Sequence, residues 1–369
     1  MSTTREIFEQ HPGKPSTVDG LYSEHEVRLA NRNAGAILEL LRHDVTPTGA
    51  HYLLTHFDVP MLDPARHKVS FGEGFERSFD LGLEELRQLP QVTVPVTLEC
   101  AGNGRAGVSP RNHSMPWTEG GVGTSEWTGT PLAPLIDRAR PADGTVDIVF
   151  TGADEGFDSG TRHFYGRSLS RDRIAELGVL LVHEMNGAPL LPQHGAPMRL
   201  IVPGWYGMAS VKWISTIEAI PTAYQGLQQA KNYRYRNHPD DPGEPVEEIR
   251  VKSLMVPPGI PDWTTRSRYV EHGRYEIVGR AWAGRRPVAK VEFGIGEEWI
   301  EAMLSPATVP SAWAKWSVTW DAKPGEHILR CRATDTDGNT QPVDPRWDAA
   351  GFGNNAVQQV RVFVSAGTS

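Results

Sequence analysis

The chain is 369 residues long, which is more than one hydrophobic core usually serves, so we expect two domains. Hydrophobic residues make up 39% and charged residues 22% of the sequence, a balance that excludes a disordered or low-complexity chain. The formal net charge of −8 argues against a general nucleic-acid or membrane-surface binder, but it leaves room for a local basic pocket.

The N-terminal sequence and the apolar stretches bear on where the protein is located. The N-terminal text MSTTREIFEQHPGKPS lacks the apolar core of a signal peptide, and no stretch is apolar for long enough to span a membrane. We therefore expect a cytoplasmic protein, or a periplasmic one if a leader has been removed.

Cys100 and Cys331 are the two cysteines and neither lies in a CxxC pattern, which argues against disulfide frameworks, zinc clusters and attached c-type haem. Any redox centre would be a bound cofactor.

Residues 1–240 are predicted to form a mixed α and β domain. The text from residue 26 to residue 43 is helix-like, and YLLTHFDVPML from residue 52 is predicted to be a strand leading into a loop. Further strands are predicted where β-branched apolar runs are bounded by Gly and Pro, in QVTVPVTLEC, VDIVFTG, GVLLVHEM and PMRLIVPG. Helical spacing is present in LEELRQL, PLAPLIDRAR and SRDRIAEL.

A Pro-rich acidic stretch, NHPDDPGEPVEE, spans residues 237–248 and predicts a domain boundary, with the linker at about 241–248. Residues 249–369 then carry short apolar runs at regular spacing, namely YEIVGRAWAG, KVEFGIG, WAKWSVTWDA, HILRCRATDTDGNT and VQQVRVFVSA. Turn residues separate the runs. This pattern predicts an antiparallel β-sandwich of immunoglobulin size.

The sharpest local feature is TLECAGNGRAG, in which Cys100 ends a predicted strand and Arg105 follows in a glycine-containing loop. A thiolate at such a position is accessible, and a nearby cation favours the charged form. The pattern fits a nucleophile or a metal ligand, and it also fits a small buried residue beside a turn, because free cysteines are usually core residues.

CAGNGR, followed by PW and GTSEWTGTPLAPLI, resembles the signature of the sulfite oxidase family of molybdenum enzymes. FTGAD, YGRSL, HEMNGAPL, HGAPMR and VPGWYGMASVKW follow in the family's order and approximate spacing, and AWAG and DTDGNTQP resemble its sandwich domain. The resemblance covers roughly residues 50–365. It implies an α+β molybdopterin-binding domain of the sulfite oxidase type, followed by an all-β immunoglobulin-like dimerisation domain.

The resemblance also implies a cofactor and the residues that hold it. The cofactor is molybdenum with one molybdopterin and no haem, and Cys100 matches the metal ligand. The positions that match cofactor-binding residues are Tyr52, Leu53, Leu54, Thr55, His56, Asp154, His194, Arg199, Ser210, Val211 and Lys212. Arg, Lys and His side chains and backbone N–H groups suit a phosphate and a polar ring system.

The substrate site implied by the resemblance is cationic, because sulfite is a small anion. The matching positions are Arg105, Trp117, Tyr165 and Arg286, with Cys100, Arg105 and Tyr165 in catalytic roles. The sequence departs from the family pattern at Leu54, Gly104 and Ala209, where arginines often stand. Arg162 is a candidate to replace part of the lost charge.

The function implied is a sulfite dehydrogenase that oxidises sulfite to sulfate, acts as a homodimer and passes electrons to a separate acceptor, such as a c-type cytochrome or oxygen. A nitrate reductase or another oxo-transfer enzyme is the alternative within the family. Outside it, the residues also fit a non-catalytic binding protein or a cysteine hydrolase. A hydrolase would need a histidine beside Cys100, and His113 is the histidine that follows soonest along the chain.

Overall fold

A computed structural model describes residues 32–366, apart from residues 111, 113, 159 and 239. The first part of the chain is built mainly of strands, with three short α-helices. The strands are β1 Lys68–Phe71, β2 Phe79–Gly82, β3 Val92–Glu99, β4 Val122–Pro131, β5 Asp147–Asp158, β6 Thr161–Leu169, β7 Leu180–Met185, β8 Ala188–Pro189, β9 Arg199–Ile201, β10 Ile214–Ile220, β11 Arg234–Tyr235 and β12 Glu244–Pro245. The α-helices are α1 Leu83–Gln88, α2 Ala133–Ala139 and α3 Arg171–Leu177.

Two sheets form the body of this first domain. One has the strand order β2-β1-β10-β5-β6, and the other has the order β3-β4-β7-β8, with β9 also paired to β7. Apolar side chains from both sheets and the helices fill the core around Phe150, Leu181 and Ile217. Tight turns of 3-10 helix connect these strands, at Leu38–Arg42, Thr48–Ala50, Arg105–Gly107, Pro192–His194 and Gly207–Ala209, and a short π-helix spans Gln228–Asn232.

The second domain is a sandwich of two sheets. Its strands are β13 Lys252–Met255, β14 Ile260–Pro261, β15 Arg268–Glu271, β16 Gly273–Trp282, β17 Val288–Ile295, β18 Glu298–Glu301, β19 Met303–Ser305, β20 Ala314–Ala322, β21 Gly325–Asp335 and β22 Gln358–Ser365. The sheet orders are β13-β16-β20-β19 and β14-β15-β22-β21-β17-β18. Phe293, Trp316 and Leu329 are completely buried between them.

The predicted architecture, an α+β domain followed by a β-sandwich, is confirmed. The apolar runs named above become strands β3, β5, β7 and β9 in the first domain and β16, β17, β20, β21 and β22 in the second. The predicted helices form α1, α2 and α3, but each is only six or seven residues long. The chain therefore carries more strand and less helix than its periodicity suggests.

Two local predictions differ from the structure. The segment that begins at Tyr52 does not form a strand. Leu53 makes an isolated β-bridge with Ala34, and the loop from Tyr52 to His56 runs along a cavity. The helix-like text from residue 26 begins outside the described residues, and its described part forms the 3-10 turn Leu38–Arg42. The linker segment is partly ordered, since β12 pairs with β11. No helix between residues 32 and 366 is long and apolar enough to cross a bilayer.

Candidate active site

Cys100 lies directly after β3, where the chain leaves the second sheet of the first domain. Its N–H donates to the carbonyl oxygen of Gly121 at 2.8 Å, and its own carbonyl oxygen accepts from the N–H of Asn103 at 2.9 Å. Gly104 then turns the loop with a backbone φ of +84°, a left-handed conformation that residues with a Cβ atom rarely adopt. Burial raises the pKa of the Cys100 thiol, and Arg105 is the strongest influence in the opposite direction. The loop therefore holds a buried thiol beside a cation.

The thiol opens on a cavity lined by charged, polar and aromatic side chains. The lining residues come from seven separate stretches of the first domain. They are His51, Tyr52, Leu53, Leu54, His56, Leu98, Cys100, Ala101, Asp154, Tyr165, His194, Arg199, Gly207, Met208, Ser210, Lys212, Trp213 and Tyr233. Eleven of these eighteen residues are among the positions predicted from the resemblance, so the fold brings most of the predicted set together.

Two buried cations, Arg199 and Lys212, lie in the wall of this cavity. Arg199 donates to the carbonyl oxygens of His194 and Ser210, both at 2.9 Å. Lys212 Nζ donates to the carbonyl oxygens of Leu54 at 2.8 Å and Gln193 at 3.1 Å. Within the described chain neither cation has a carboxylate at ion-pair distance. Buried charges need a counter-charge, so this wall is suited to an anionic group such as a phosphate.

Burial shifts the ionisation of these groups. It lowers the pKa of Lys212 to about 7, with Arg199 adding repulsion, and it lowers the pKa of Arg199 to about 10. Both can carry positive charge at neutral pH, Lys212 only in part. Asp154 is the one carboxylate in the lining set, and burial raises its pKa to about 6.

Three histidines share the cavity, and burial keeps them neutral near pH 7. The pKa is lowered to about 4 for His51 and His56 and to about 3 for His194. The rings of His51 and His194 meet edge to face with centroids 5.8 Å apart. His51 Nε2 is buried without a hydrogen-bond partner among residues 32–366. Neutral imidazoles with a free nitrogen are suited to hydrogen bonding with a polar ligand.

The two remaining positions predicted to hold the cofactor, Thr55 and Val211, are buried beside the cavity and do not line it. The N–H of Thr55 donates to Asn33 Oδ1 at 2.9 Å, which fixes the loop that carries Leu54 and His56. Val211 packs in the core with no exposed surface, between the lining residues Ser210 and Lys212.

Arg105 and Trp117 form a buried layer beside Cys100, and neither of them lines the cavity. Arg105 is 5% exposed and donates from Nη1 to Ser114 Oγ at 3.2 Å and to the Met115 carbonyl oxygen at 3.0 Å. Burial lowers its pKa and the nearby Cys100 raises it. Trp117 is 3% exposed, and its ring meets that of Tyr52 edge to face at 6.3 Å.

Tyr165 lines the cavity and has a partner that the sequence did not indicate. Its hydroxyl donates to the Met208 carbonyl oxygen at 2.6 Å, and its ring lies 4.7 Å from that of His56. Tyr233, which we did not predict, hydrogen-bonds to His56 Nε2 at 2.7 Å. Burial raises the pKa of Tyr233 well above its usual value, so its hydroxyl keeps the proton. His51 and Tyr233 stand outside the matching motifs, and nothing in their local sequence indicates a site.

Two arginines predicted near the substrate lie elsewhere. Arg286 pairs with Glu248 at 2.8 Å and with Asp335 at 3.0 Å, and it does not line the Cys100 cavity. These carboxylates already neutralise the guanidinium, so the prediction that Arg286 binds the substrate is not supported by its position. Arg162 is mostly exposed and pairs with Glu155 at 2.8 Å, so it does not replace a missing cavity cation. His113 lies outside the described residues.

Both parts of the chain match models of protein families. Residues 56–228 match the oxidoreductase molybdopterin binding domain, and residues 244–365 match the Mo-co oxidoreductase dimerisation domain. Together these matches cover most of the chain.

Several proteins of known family are similar to this chain over most of its length. Sulfite oxidase of Gallus gallus is 30% identical over 351 residues, which is 86% of this chain and 73% of that protein. Mitochondrial sulfite oxidase of Homo sapiens is 30% identical over 90% of this chain, but the chain spans only 64% of its length. An NADH nitrate reductase of Ulva prolifera is 28% identical over 86% of this chain and 40% of its own length. The sulfane dehydrogenase SoxCD of Paracoccus pantotrophus shares the fold, with a TM-score of 0.77, 24% identity and coverage of 96% of this chain and 88% of that one.

Proposed function

Because the chain belongs to the sulfite oxidase family of molybdenum-cofactor oxidoreductases, we propose that it oxidises sulfite to sulfate with molybdenum held through the Cys100 thiolate. One observation carries the proposal. The Cys100 thiol opens on a cavity whose buried cations, Arg199 and Lys212, donate hydrogen bonds only to carbonyl oxygens among the described residues and have no carboxylate at ion-pair distance there. A cavity of this kind fits a ligand with both a soft metal and an anionic tail.

The residues present fit one molybdopterin. Arg199 and Lys212 would bind its phosphate, and His51, His56 and His194 would offer neutral nitrogens to its polar rings. Tyr52 and the loop through Leu53 and Leu54 would form the wall beside it. When bound, the cofactor supplies dithiolene sulfurs and a molybdenum centre that accepts two electrons and exchanges an oxo group, while the protein orients it.

The chain's own residues would prepare the metal ligand. Arg105 stabilises the thiolate of Cys100 against the cost of burial, because it is the strongest influence lowering the pKa of that thiol. Since Arg105 also lies in the layer with Trp117, we place the sulfite anion on this side of the cavity. Tyr165 would act through its oxygen as an acceptor, because its hydroxyl proton already points to the Met208 carbonyl oxygen.

Electrons would leave to a separate acceptor, for which a c-type cytochrome and oxygen are both candidates. The second domain matches a dimerisation domain, and we propose a homodimer formed through it.

Nitrate reduction is the second candidate, and one observation favours it. Leu54 places an apolar side chain on the cavity wall where animal and plant members of the family usually carry an arginine, so the cavity is less positive, and nitrate carries one negative charge where sulfite carries up to two. The nitrate reductase of Ulva prolifera also matches most of this chain.

Purified protein with measured molybdenum content separates these candidates. We expect about one molybdenum per chain, sulfite oxidation with a one-electron acceptor, and nitrate reduction with a one-electron donor that is at least tenfold slower at matched substrate concentration. Molybdenum-loaded protein that reduces nitrate faster than it oxidises sulfite would reverse the assignment. Active protein free of molybdenum would end it.

A further inference from the structure

A second cleft, of about 510 Å³, opens on the first domain beside β11 and β12. Three arginines line it, Arg167, Arg234 and Arg236, together with Trp205 and a single carboxylate, Glu247. None of these residues lines the Cys100 cavity. The cleft is therefore a cationic site separate from the one that holds Cys100.

Buried hydrogen-bond donors in the wall of this cleft have no acceptors. Arg167 is 4% exposed, and its Nε lacks a partner among residues 32–366, as does the indole Nε1 of Trp205, which is also 4% exposed. Arg236 Nε is a third such atom in the same lining set. An unsatisfied buried donor costs free energy, so three at one cleft indicate a missing acceptor.

Arg167 has no ion-pair partner among the described residues. Its guanidinium donates from Nη1 to the Gln228 carbonyl oxygen at 3.1 Å, and no described carboxylate lies at ion-pair distance. Glu247 is near enough to raise the pKa of Arg167, but it forms no ion pair with that guanidinium. Arg234 uses Nε and Nη2 on the carbonyl oxygens of Pro242 and Gly243 and has no carboxylate partner in the described chain.

We propose that this cleft binds a small inorganic oxyanion of the size and charge of sulfate, held by Arg167 and Trp205 Nε1, with Arg234 and Arg236 at its mouth. A ligand with only acceptor oxygens matches a wall whose unpartnered atoms are all N–H donors. The cleft is linked to the Cys100 cavity, since Arg167 lies 5.8 Å from the ring centroid of Tyr233 and Tyr233 bonds to His56. The proposal does not depend on which substrate the Cys100 cavity takes.

The test is calorimetric titration of the cofactor-loaded protein with sodium sulfate at constant ionic strength, compared with Arg167→Gln. We expect saturable binding to the unaltered chain and a loss of tenfold or more in affinity in the variant, because a charge-assisted hydrogen bond is removed. Trp205→Phe keeps an aromatic ring and removes one donor, so a weakening of about 2- to 10-fold is expected there. This second variant keeps the test valid should Arg167→Gln fail to fold.

Two controls separate the cleft from the Cys100 cavity. Arg162→Gln should leave this binding unchanged, because Arg162 is an exposed arginine paired with Glu155 and lines neither the cleft nor the Cys100 cavity. Crystals soaked in selenate should show an anomalous selenium peak within hydrogen-bond distance of Arg167. Equal affinity in the unaltered chain, Arg167→Gln and Trp205→Phe would overturn the proposal. So would an equal loss of affinity in Arg162→Gln, or a selenium peak only at other surfaces.

Discussion

Arg105 Nε donates to the carbonyl oxygen of Ala350 at 2.7 Å, which ties the Cys100 loop of the first domain to a loop of the second. The guanidinium also lies 5.4 Å from the ring centroid of Phe352, in the same second-domain loop. Gly351 allows this approach, because a side-chain carbon there would come within 2.4 Å of Arg105 Cγ. The charge beside the thiol is therefore positioned by both domains, and its orientation depends on how they dock.

The first prediction concerns Cys100. Cys100→Ser should abolish turnover and molybdenum retention while leaving the fold intact, because a hydroxyl is a poor ligand for a soft metal site. Cys331→Ala is the matched control, since Cys331 is buried in the second-domain core and should be dispensable for metal binding. Metal analysis, steady-state assay and circular dichroism provide the readouts. Full activity in Cys100→Ser would exclude the ligand role.

The second prediction contrasts two arginines. If Arg105 binds the substrate anion, Arg105→Gln should raise KM for sulfite by about 10- to 150-fold, the effect of losing a charge-assisted hydrogen bond of about 1.5 to 3 kcal/mol. Arg286→Gln should leave KM within about twofold, because Glu248 and Asp335 already occupy that guanidinium.

Ionic strength provides the control for this comparison. A long-range surface effect is screened beyond about 10 Å at 0.1 M salt, whereas a buried contact loses little. The KM ratio between Arg105→Gln and the unaltered chain should therefore persist at two salt concentrations. An unchanged KM and kcat in Arg105→Gln would remove the anion site from this part of the cavity.

Sequence reasoning predicted the two-domain architecture and most of the cavity because both are recorded in local motifs. The strand pattern of QVTVPVTLEC predicts that Cys100 lies at the end of a strand. The motifs shared with the family include Arg199 and Lys212, which line the same cavity. The ion pairs of Arg286 could not be predicted, because a motif match gives no information about Glu248, which lies 38 residues away and pairs with its guanidinium. Tyr233 was missed because its role depends on a contact with His56 across 177 residues.

The third prediction concerns Leu54, which lines the cavity where a cation is absent. Leu54→Arg should lower KM for sulfite, because a further positive charge would face the anion. The Leu54 carbonyl oxygen accepts from Lys212 Nζ, so the loop is anchored through its backbone and should tolerate a new side chain. Leu54→Gln, similar in length but uncharged, is the control. A lowered molybdenum content in Leu54→Arg alone would indicate that the arginine displaces the cofactor.

The fourth prediction concerns self-association through the second domain. Strand β14 lies at the edge of the six-stranded sheet, where Ile260 is 74% exposed and the nearby Trp263 is 90% exposed. Exposed apolar edges are suited to symmetric pairing. Sedimentation at micromolar concentration should show a dimer for the unaltered chain and a monomer for Ile260→Ser combined with Trp263→Ser. Phe157→Ser, in the first domain, should remain dimeric, and a monomeric unaltered chain would refute the prediction.

The last prediction uses the depressed pKa of Lys212. Because the folded-state pKa is about 7 and the unfolded value is about 10.5, the unfolded chain binds more protons between these values. In cofactor-free protein, stability should therefore rise with pH across this interval, by about 2 kcal/mol from pH 7 to pH 9, and gain nothing further from this group above the unfolded pKa. Lys212→Met should remove that rise and stabilise the cofactor-free protein at pH 7.

A bound phosphate would raise the pKa of Lys212 again, because it supplies the counter-charge that keeps the amine protonated. In molybdenum-loaded protein the rise between pH 7 and pH 9 should disappear, and Lys212→Met should lower cofactor retention although it stabilises the empty protein. Thermal unfolding of both forms across this interval, with molybdenum content measured alongside, tests the two effects together. A rise of equal size in loaded and empty protein would mean that Lys212 faces no phosphate. The buried cation would then have to be explained by the fold alone.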